Sequence, residues 1–191
     1  HHAGAFGRVQ ASLWQAFHLH AGVRYDYYRR TQYAPASADR ARLDGGAWSP
    51  SVGANVRVLD FPRHRLHLYV QWGRGFSPIF RAVNNTAFAR VDPERSESME
   101  GGFKWALWRR IVTGELVFYQ LQRQDIVAMN PETRENENIG DWEIQGVELT
   151  VKVRPHRRLR LYATYGLRNP RIASFPGYPE LAKNQIPGIS K

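Results

Sequence analysis

The side chains that could do chemistry are 17 carboxylates, 27 Lys and Arg, seven His and a dense set of aromatics, with no Cys. Their spacing assembles no reaction centre. His18 and His20 stand on one face of an extended segment, and two imidazoles hold a metal only if further ligands arrive from elsewhere in the fold. Glu132 with Glu135, and Glu135 with Glu137, are spaced as carboxylate pairs, but in an Asn-rich stretch where solvation is expected rather than general acid–base work. Trp72-Gly-Arg-Gly-Phe76 has the glycines of a phosphate loop without a following helix whose N-terminus would receive the anion. Asn84-Asn85-Thr86 matches a glycosylation acceptor in form only. Thiolate metal sites and disulfides are excluded, and the lack of thiols suits an oxidising compartment. The expectation is a protein that is not an enzyme and carries no cofactor.

The reactive groups are instead distributed along extended segments with a period of two, the signature of strands with unlike faces. Leu19, Ala21, Val23 and Tyr25 oppose His20, Gly22 and Arg24, and Val52, Ala54, Val56 and Val58 oppose Gly53, Asn55 and Arg57. The pattern repeats in Leu66–Trp72 and Met99–Leu107, where Glu100 and Lys104 fall on the polar side. It returns in Val147–Val151, with Glu148 and Lys152 polar, and in Leu159–Leu167, with Arg160 polar. Weaker strands are predicted over Gly4–Leu13 and Ile111–Val127. A soluble sheet with one buried face would alternate in the same way, but no helical segment is predicted that could cover the apolar side.

Connection lengths carry the next step. Short links near Trp14–Ala16, Asp60–His64, Trp108–Arg110 and Arg154–Arg157 alternate with long ones over 29–47, 77–95, 128–141 and 169–185. That asymmetry belongs to an outer-membrane barrel, with tight turns at the periplasmic end and long loops outside. The short turns recur at a spacing that a propeller blade would also give, but each repeat reads as two long strands and a loop rather than four short strands. Aromatics gather at both strand ends, with Trp14, Trp105 and Trp108 by the short turns and Tyr25, Tyr27, Tyr28, Trp72, Phe76 and Tyr165 toward the long loops, as two interfacial girdles would require.

Bulk properties fit this architecture. No window approaches the roughly 20 apolar residues of a spanning helix, whereas a barrel strand needs only about 10, half of them facing a polar lumen. The net charge of +10 would ordinarily raise nucleic-acid binding. However, Arg63, Arg65, Arg109, Arg110, Arg154, Arg157 and Arg158 all fall in the short turns, where a basic ring would meet lipid headgroups, and no nucleic-acid partner is predicted. The N-terminus has no signal-peptide pattern, so the expectation is a processed chain or a piece of a longer one.

Seven segments then carry a resemblance. Trp48–Asn55 (WSPSVGAN) and Leu68–Pro78 (LYVQWGRGFSP) look like paired barrel strands of TonB-dependent outer-membrane receptors, the siderophore-receptor type. Pro93–Lys104 (PERSESMEGGFK) is similar to the family's loop end entering a Glu-x-Gly-x-Lys strand. Phe118–Val127 (FYQLQRQDIV), Gln145–Leu149 (QGVEL), Leu161–Gly166 (LYATYG) and Lys183–Lys191 (KNQIPGISK) continue in the family's order, the last resembling the opening of a strand after a long extracellular loop.

The resemblance implies an all-β, antiparallel, up-and-down transmembrane barrel of about 22 strands, of which this stretch would supply about eight and the start of a ninth. It also implies residence in the bacterial outer membrane and import of a ferric siderophore or similar scarce solute. Import would be driven by the TonB energy-coupling complex through a plug domain that this stretch lacks. Arg24, Arg57, Glu100, Lys104, Glu148, Lys152 and Arg160 are the expected lumen residues facing the plug or one another. Tyr28, Tyr119, Arg123, Trp142 and Arg168, predicted as inward positions near the extracellular rim, are the expected substrate contacts, because anionic or aromatic chelates suit cationic and aromatic side chains. The alternatives are eight strands closing into a small membrane anchor or adhesin, and a soluble propeller binding protein.

Overall fold

The structure, a computed structural model, describes residues 1–33, 40–77, 93–129, 136–175 and 179–186. Eight strands follow one another: β1 (His2–Leu13), β2 (Phe17–Tyr33), β3 (Arg40–Phe61), β4 (His64–Ser77), β5 (Glu94–Leu107), β6 (Val112–Met129), β7 (Asn136–His156) and β8 (Leu159–Ser174). Each pairs antiparallel with its sequence neighbours, giving one meander sheet in the order β1-β2-β3-β4-β5-β6-β7-β8. A propeller would divide such strands among separate four-stranded sheets, so that alternative falls. The small closed barrel falls too. Among the described residues β1 and β8 make no contact, and the sheet is a partial barrel with two open edges.

The short links are tight. The β1–β2 turn has Trp14 and Gln15 at φ 48° and 56°, with Ala16 N–H donating to Leu13 C=O at 3.2 Å. The β5–β6 turn has Arg109 and Arg110 at 57° and 71°, preceded by Trp108 at 48°, with Ile111 N–H donating to Trp108 C=O at 3.2 Å. Both have the positive dihedrals of a two-residue turn whose twist matches its flanking strands. Here they are carried by residues other than Gly or Asn.

At the opposite end the strands exceed expectation. Arg29 pairs with Asp44 and the ladder continues to Tyr33 opposite Arg40, while Met129 pairs with Asn136, so much of the stretches expected as loops is hydrogen-bonded sheet. The physical reason is that alternation marks unlike environments on the two faces. Where a segment carries no alternation the side-chain pattern gives no strand signal, although the backbone ladder goes on. Residues 34–39, 78–92, 130–135, 176–178 and 187–191 lie outside the described residues. These stretches include Asn84-Asn85-Thr86, Glu132, Glu135 and the end of the Lys183–Lys191 segment. Of that segment, Lys183–Ile186 runs along the upper end of β8, with Ile172 N–H donating to Asn184 C=O at 2.9 Å and an isolated bridge from Gln185 to Arg171.

Register aligns the faces across the whole sheet. Leu13, Phe17, Val56, Leu68, Phe103, Leu116, Leu149 and Tyr165 form one cross-strand row, pair by pair, through all eight strands. On the other face, three positions nearer the long-strand end, runs the row Gln10, His20, Gly53, Gln71, Glu100, Tyr119, Gly146 and Arg168.

Nothing among the described residues packs over the apolar face. Met99, Leu161, Tyr165 and Leu167 are 54%, 53%, 62% and 53% exposed. Among the described residues, buried hydrophobics are confined to Ile126, Ile172 and Ile186, with Pro170 beside them, at the upper rim of β6–β8. The accessible surface is 13841 Å². A folded globular chain of this mass would expose about 9,300 Å². In water each large apolar side chain left outside would forgo roughly 1.5–3 kcal/mol of burial. This face is built for an apolar solvent.

Candidate functional site

The polar face is where the charged and aromatic side chains converge. By register and alternation, all twelve residues singled out from the sequence lie on it: Arg24 and Tyr28 of β2, Arg57 of β3, Glu100 and Lys104 of β5, Tyr119 and Arg123 of β6, Trp142, Glu148 and Lys152 of β7, and Arg160 and Arg168 of β8. Tyr28 was also expected in an aromatic girdle. Its pairing with His2 and Gly45 puts it on the polar face instead, whereas Tyr25 sits on the apolar face against Trp48, ring centroids 4.7 Å apart.

At the centre is a concavity of about 740 Å³ lined by Tyr69, Glu100, Glu115, Val117, Tyr119, Leu121, Ile144, Glu148, Thr150 and Arg168. Tyr69 O–H donates to Glu115 Oε1 at 2.9 Å, and Lys104 Nζ lies 3.0 Å from the same oxygen and 4.8 Å from the Tyr69 ring centroid. Gln71 Nε2 donates to Glu100 Oε1 at 2.6 Å. The Tyr119 ring lies over Gly146, where any Cβ would run into it and would come 2.8 Å from Leu167 C=O. Glycine at position 146 therefore makes room for the aromatic ring beside Arg168. The concavity thus offers carboxylates, a phenol and a guanidinium on a rigid ladder, a surface able to hold a polar solute or a facing protein element by hydrogen bonds and charge.

The remaining residues lie apart from it. Arg123 and Trp142 are direct cross-strand partners nearer the upper rim, and Arg123 Nη2 pairs with Glu94 Oε2 at 2.5 Å. Arg24 grips Asp26 through two bonds of 2.6 and 2.7 Å, with His2 Nε2 3.0 Å from the same carboxylate. Tyr28 stacks on Phe76 at 6.0 Å. Arg57 binds Asp60 at 2.7 Å, and Lys152 sits 5.9 Å over the Tyr162 ring near the short turns. Arg160 is exposed at that end. The structure therefore gathers Glu100, Tyr119, Glu148 and Arg168 in one concavity, holds Lys104 against Glu115 and Tyr69 of its lining, and leaves the others in separate clusters.

Three contributors escaped the sequence reading: Glu115, Tyr69 and Asp26. Glu115 opposes Lys104 only once β5 and β6 are registered, and β6 alternates poorly because Val117 and Leu121 share the polar face while Gln120 and Gln122 share the apolar one. No group of three or more His, Asp or Glu among the described residues could hold a metal ion. His18 is engaged with Ser12 Oγ at 2.9 Å.

A single antiparallel meander with an uncovered apolar face, a charged opposite face, tight turns at one end and long strands at the other defines the wall of an outer-membrane-type β-barrel. The chain belongs to the TonB dependent receptor-like β-barrel family, which matches it over residues 1–191. That family resides in the bacterial outer membrane and consists of receptors and transporters. Among solved structures, the chain is similar to the siderophore receptor PiuA from Acinetobacter baumannii, with 16% identity and a TM-score of 0.77 over 100% of this chain and 29% of that one. The alcaligin outer-membrane receptor FauA from Bordetella pertussis matches with 17% identity and a TM-score of 0.68 over 91% of this chain and 31% of that one. The copper transporter OprC matches with 18% identity and a TM-score of 0.72 over 91% and 28%. No curated protein matches the sequence. The chain spans less than a third of the length of these structures, and the likeness establishes the shared fold.

Proposed function

We propose that the chain is a section of the barrel wall of an outer-membrane receptor that imports a ferric siderophore or a comparable scarce solute, with energy supplied by TonB through a plug domain. The observation that carries this reading is the apolar row from Leu13 to Tyr165, uncovered on one face, with the polar row from Gln10 to Arg168 on the other. In lipid the ladder satisfies its own backbone groups, and only a closed barrel leaves none unpaired, so the open edges of β1 and β8 call for neighbouring strands. The polar face then lines the lumen. Glu100, Glu148 and Arg168 in the central concavity would meet the plug or the passing solute, while Tyr28, Arg123 and Trp142 nearer the rim would meet the solute first. PiuA and FauA favour a siderophore by their names; OprC, equally similar in fold, carries copper by its name, so the solute class rests on the cationic and aromatic character of Tyr28, Tyr119, Arg123, Trp142 and Arg168.

The test is uptake of iron-55 presented as hydroxamate, catecholate and hydroxycarboxylate chelates by cells with and without the gene. Loss of one chelate's uptake on deletion, restored by the wild-type gene and reduced at least tenfold by Tyr119→Ala with Arg168→Ala, supports the reading. Unchanged uptake of all three chelates on deletion overturns the siderophore assignment.

A further inference from the structure

The excess of positive charge is concentrated at the short-turn end of the sheet. The β3–β4 and β5–β6 turns are stitched together by Arg109 N–H donating to Arg63 C=O at 3.1 Å, and between them lies a concavity of about 380 Å³ lined by Phe61, Pro62, His64, Ala106 and four arginines, Arg63, Arg65, Arg109 and Arg110. The nearby carboxylate, Asp60, is already bound by Arg57 at 2.7 Å and Arg65 at 3.0 Å. No ion pair among the described residues reaches Arg63, Arg109 or Arg110, and all three are exposed. Beside the arginines Phe61 and Trp108 are 59% and 56% exposed, at the level where the apolar row ends.

Charge repulsion among close guanidinium groups is unfavourable unless an anion is shared between them, and exposed Trp and Phe at the edge of an apolar band are interfacial anchors. Arginine forks match phosphate oxygens, and cations at a membrane surface attract anionic headgroups. We propose that this inter-turn concavity binds the phosphate of an anionic glycerophospholipid in the leaflet that the short turns reach, with Phe61 and Trp108 against the upper acyl chain and Arg63, Arg109 and Arg110 around the headgroup. The site fixes the depth of the barrel wall in the membrane. It rests on the membrane reading above, and goes beyond it in naming a lipid ligand.

The test uses the full-length protein in detergent, its fold verified by heat-modifiable gel mobility, with bound lipid counted by native mass spectrometry after titration with phosphatidylglycerol or phosphatidylcholine. Phosphatidylglycerol is expected to bind at least tenfold more tightly than phosphatidylcholine. Arg63→Gln, Arg109→Gln and Arg110→Gln should each weaken that preference by roughly fivefold, the effect of one cation near a charged surface. If Arg63→Gln or Arg109→Gln does not fold, Arg110→Gln alone reads the same effect, since the Arg110 side chain is exposed and makes no ion pair among the described residues. Equal binding of the two lipids by the folded wild type overturns the proposal and leaves the barrel reading intact. So does unchanged preference in the folded variants. Full displacement of the lipid by inorganic phosphate or by heparin assigns the cluster to a free anion or an acidic macromolecule and also overturns it. A protein that folds without detergent or lipid ends both readings.

Discussion

Tyr69 on β4 reaches over β5 to donate its hydroxyl hydrogen to Glu115 Oε1 on β6 at 2.9 Å, and Lys104 on the intervening strand completes the triangle at 3.0 Å from that oxygen. A hydrogen bond that skips a strand ties three strands through side chains alone, in addition to their ladders. Buried partly by its neighbours, it joins a phenol, an ammonium and a carboxylate in a satisfied set.

Removing one member should therefore cost more than a surface contact would. Tyr69→Phe and Glu115→Gln are each expected to lower unfolding stability of the folded barrel by about 1 kcal/mol, the net worth of one such bond. The double variant should lose less than the sum of the two. Urea unfolding followed by tryptophan fluorescence measures all three, and strict additivity would show that the two groups do not interact in the folded protein.

The apposition of Tyr119 and Gly146 gives a prediction of opposite kind. A Cβ at position 146 cannot coexist with the ring, so Gly146→Ala should destabilise by roughly 1–3 kcal/mol through overpacking. Shrinking the ring should return part of that loss: Gly146→Ala with Tyr119→Ala is expected to be more stable than Gly146→Ala alone. A double variant that is less stable than either single one would contradict the packing.

The two turns with positive φ invite a stabilising change. Gln15 holds φ 56°, a conformation costing an L-residue roughly 1–2 kcal/mol, part of which glycine gives back through its looser unfolded chain. Gln15→Gly should gain about 0.5–1 kcal/mol, seen as a higher urea midpoint at unchanged slope. A lower midpoint would mean that the side chain supplies a contact outweighing the strain.

How much of this was legible beforehand depends on which physical signal each feature leaves. The places of Leu68, Phe103 and Leu149 in one row were visible strand by strand, because lipid and lumen demand opposite residue types at adjacent positions, whereas Leu116 on the poorly alternating β6 joins them only through the register. The upper halves of β2, β3, β6 and β7 were not visible, since stretches such as 29–33 (RRTQY) carry no alternation of apolar and polar residue types. Glu115 was missed for a different reason. Its partners, Lys104 and Tyr69, lie on other strands, and the register that joins them is set by the pairing of β4 with β5 and of β5 with β6, which alternation within a single strand does not encode. Seven candidates, Arg24, Arg57, Glu100, Lys104, Glu148, Lys152 and Arg160, were legible on a common face from strand alternation, but the grouping of all twelve into a central concavity and separate rim and turn clusters needed the fold.

The assignment of the two faces is most sharply tested at adjacent positions of β7. Leu149 belongs to the apolar row, opposite Leu116 and Tyr165, while Glu148 points to the other face, opposite Val117 and Gly166. Arginine in place of Leu149 would have to be transferred into hydrocarbon, at a cost of about 2–4 kcal/mol near the bilayer midplane. Arginine in place of Glu148 would remain among water and polar groups, and its effect on stability should stay within about 0.5 kcal/mol, as for a solvent-facing substitution. Folding into vesicles followed by heat-modifiable gel mobility therefore should show Leu149→Arg strongly depleted in folded protein and Glu148→Arg near wild type. If the two variants suffered equally the faces would not differ in solvent, and if Glu148→Arg were the worse of the two, the apolar row would be facing the interior of a soluble fold.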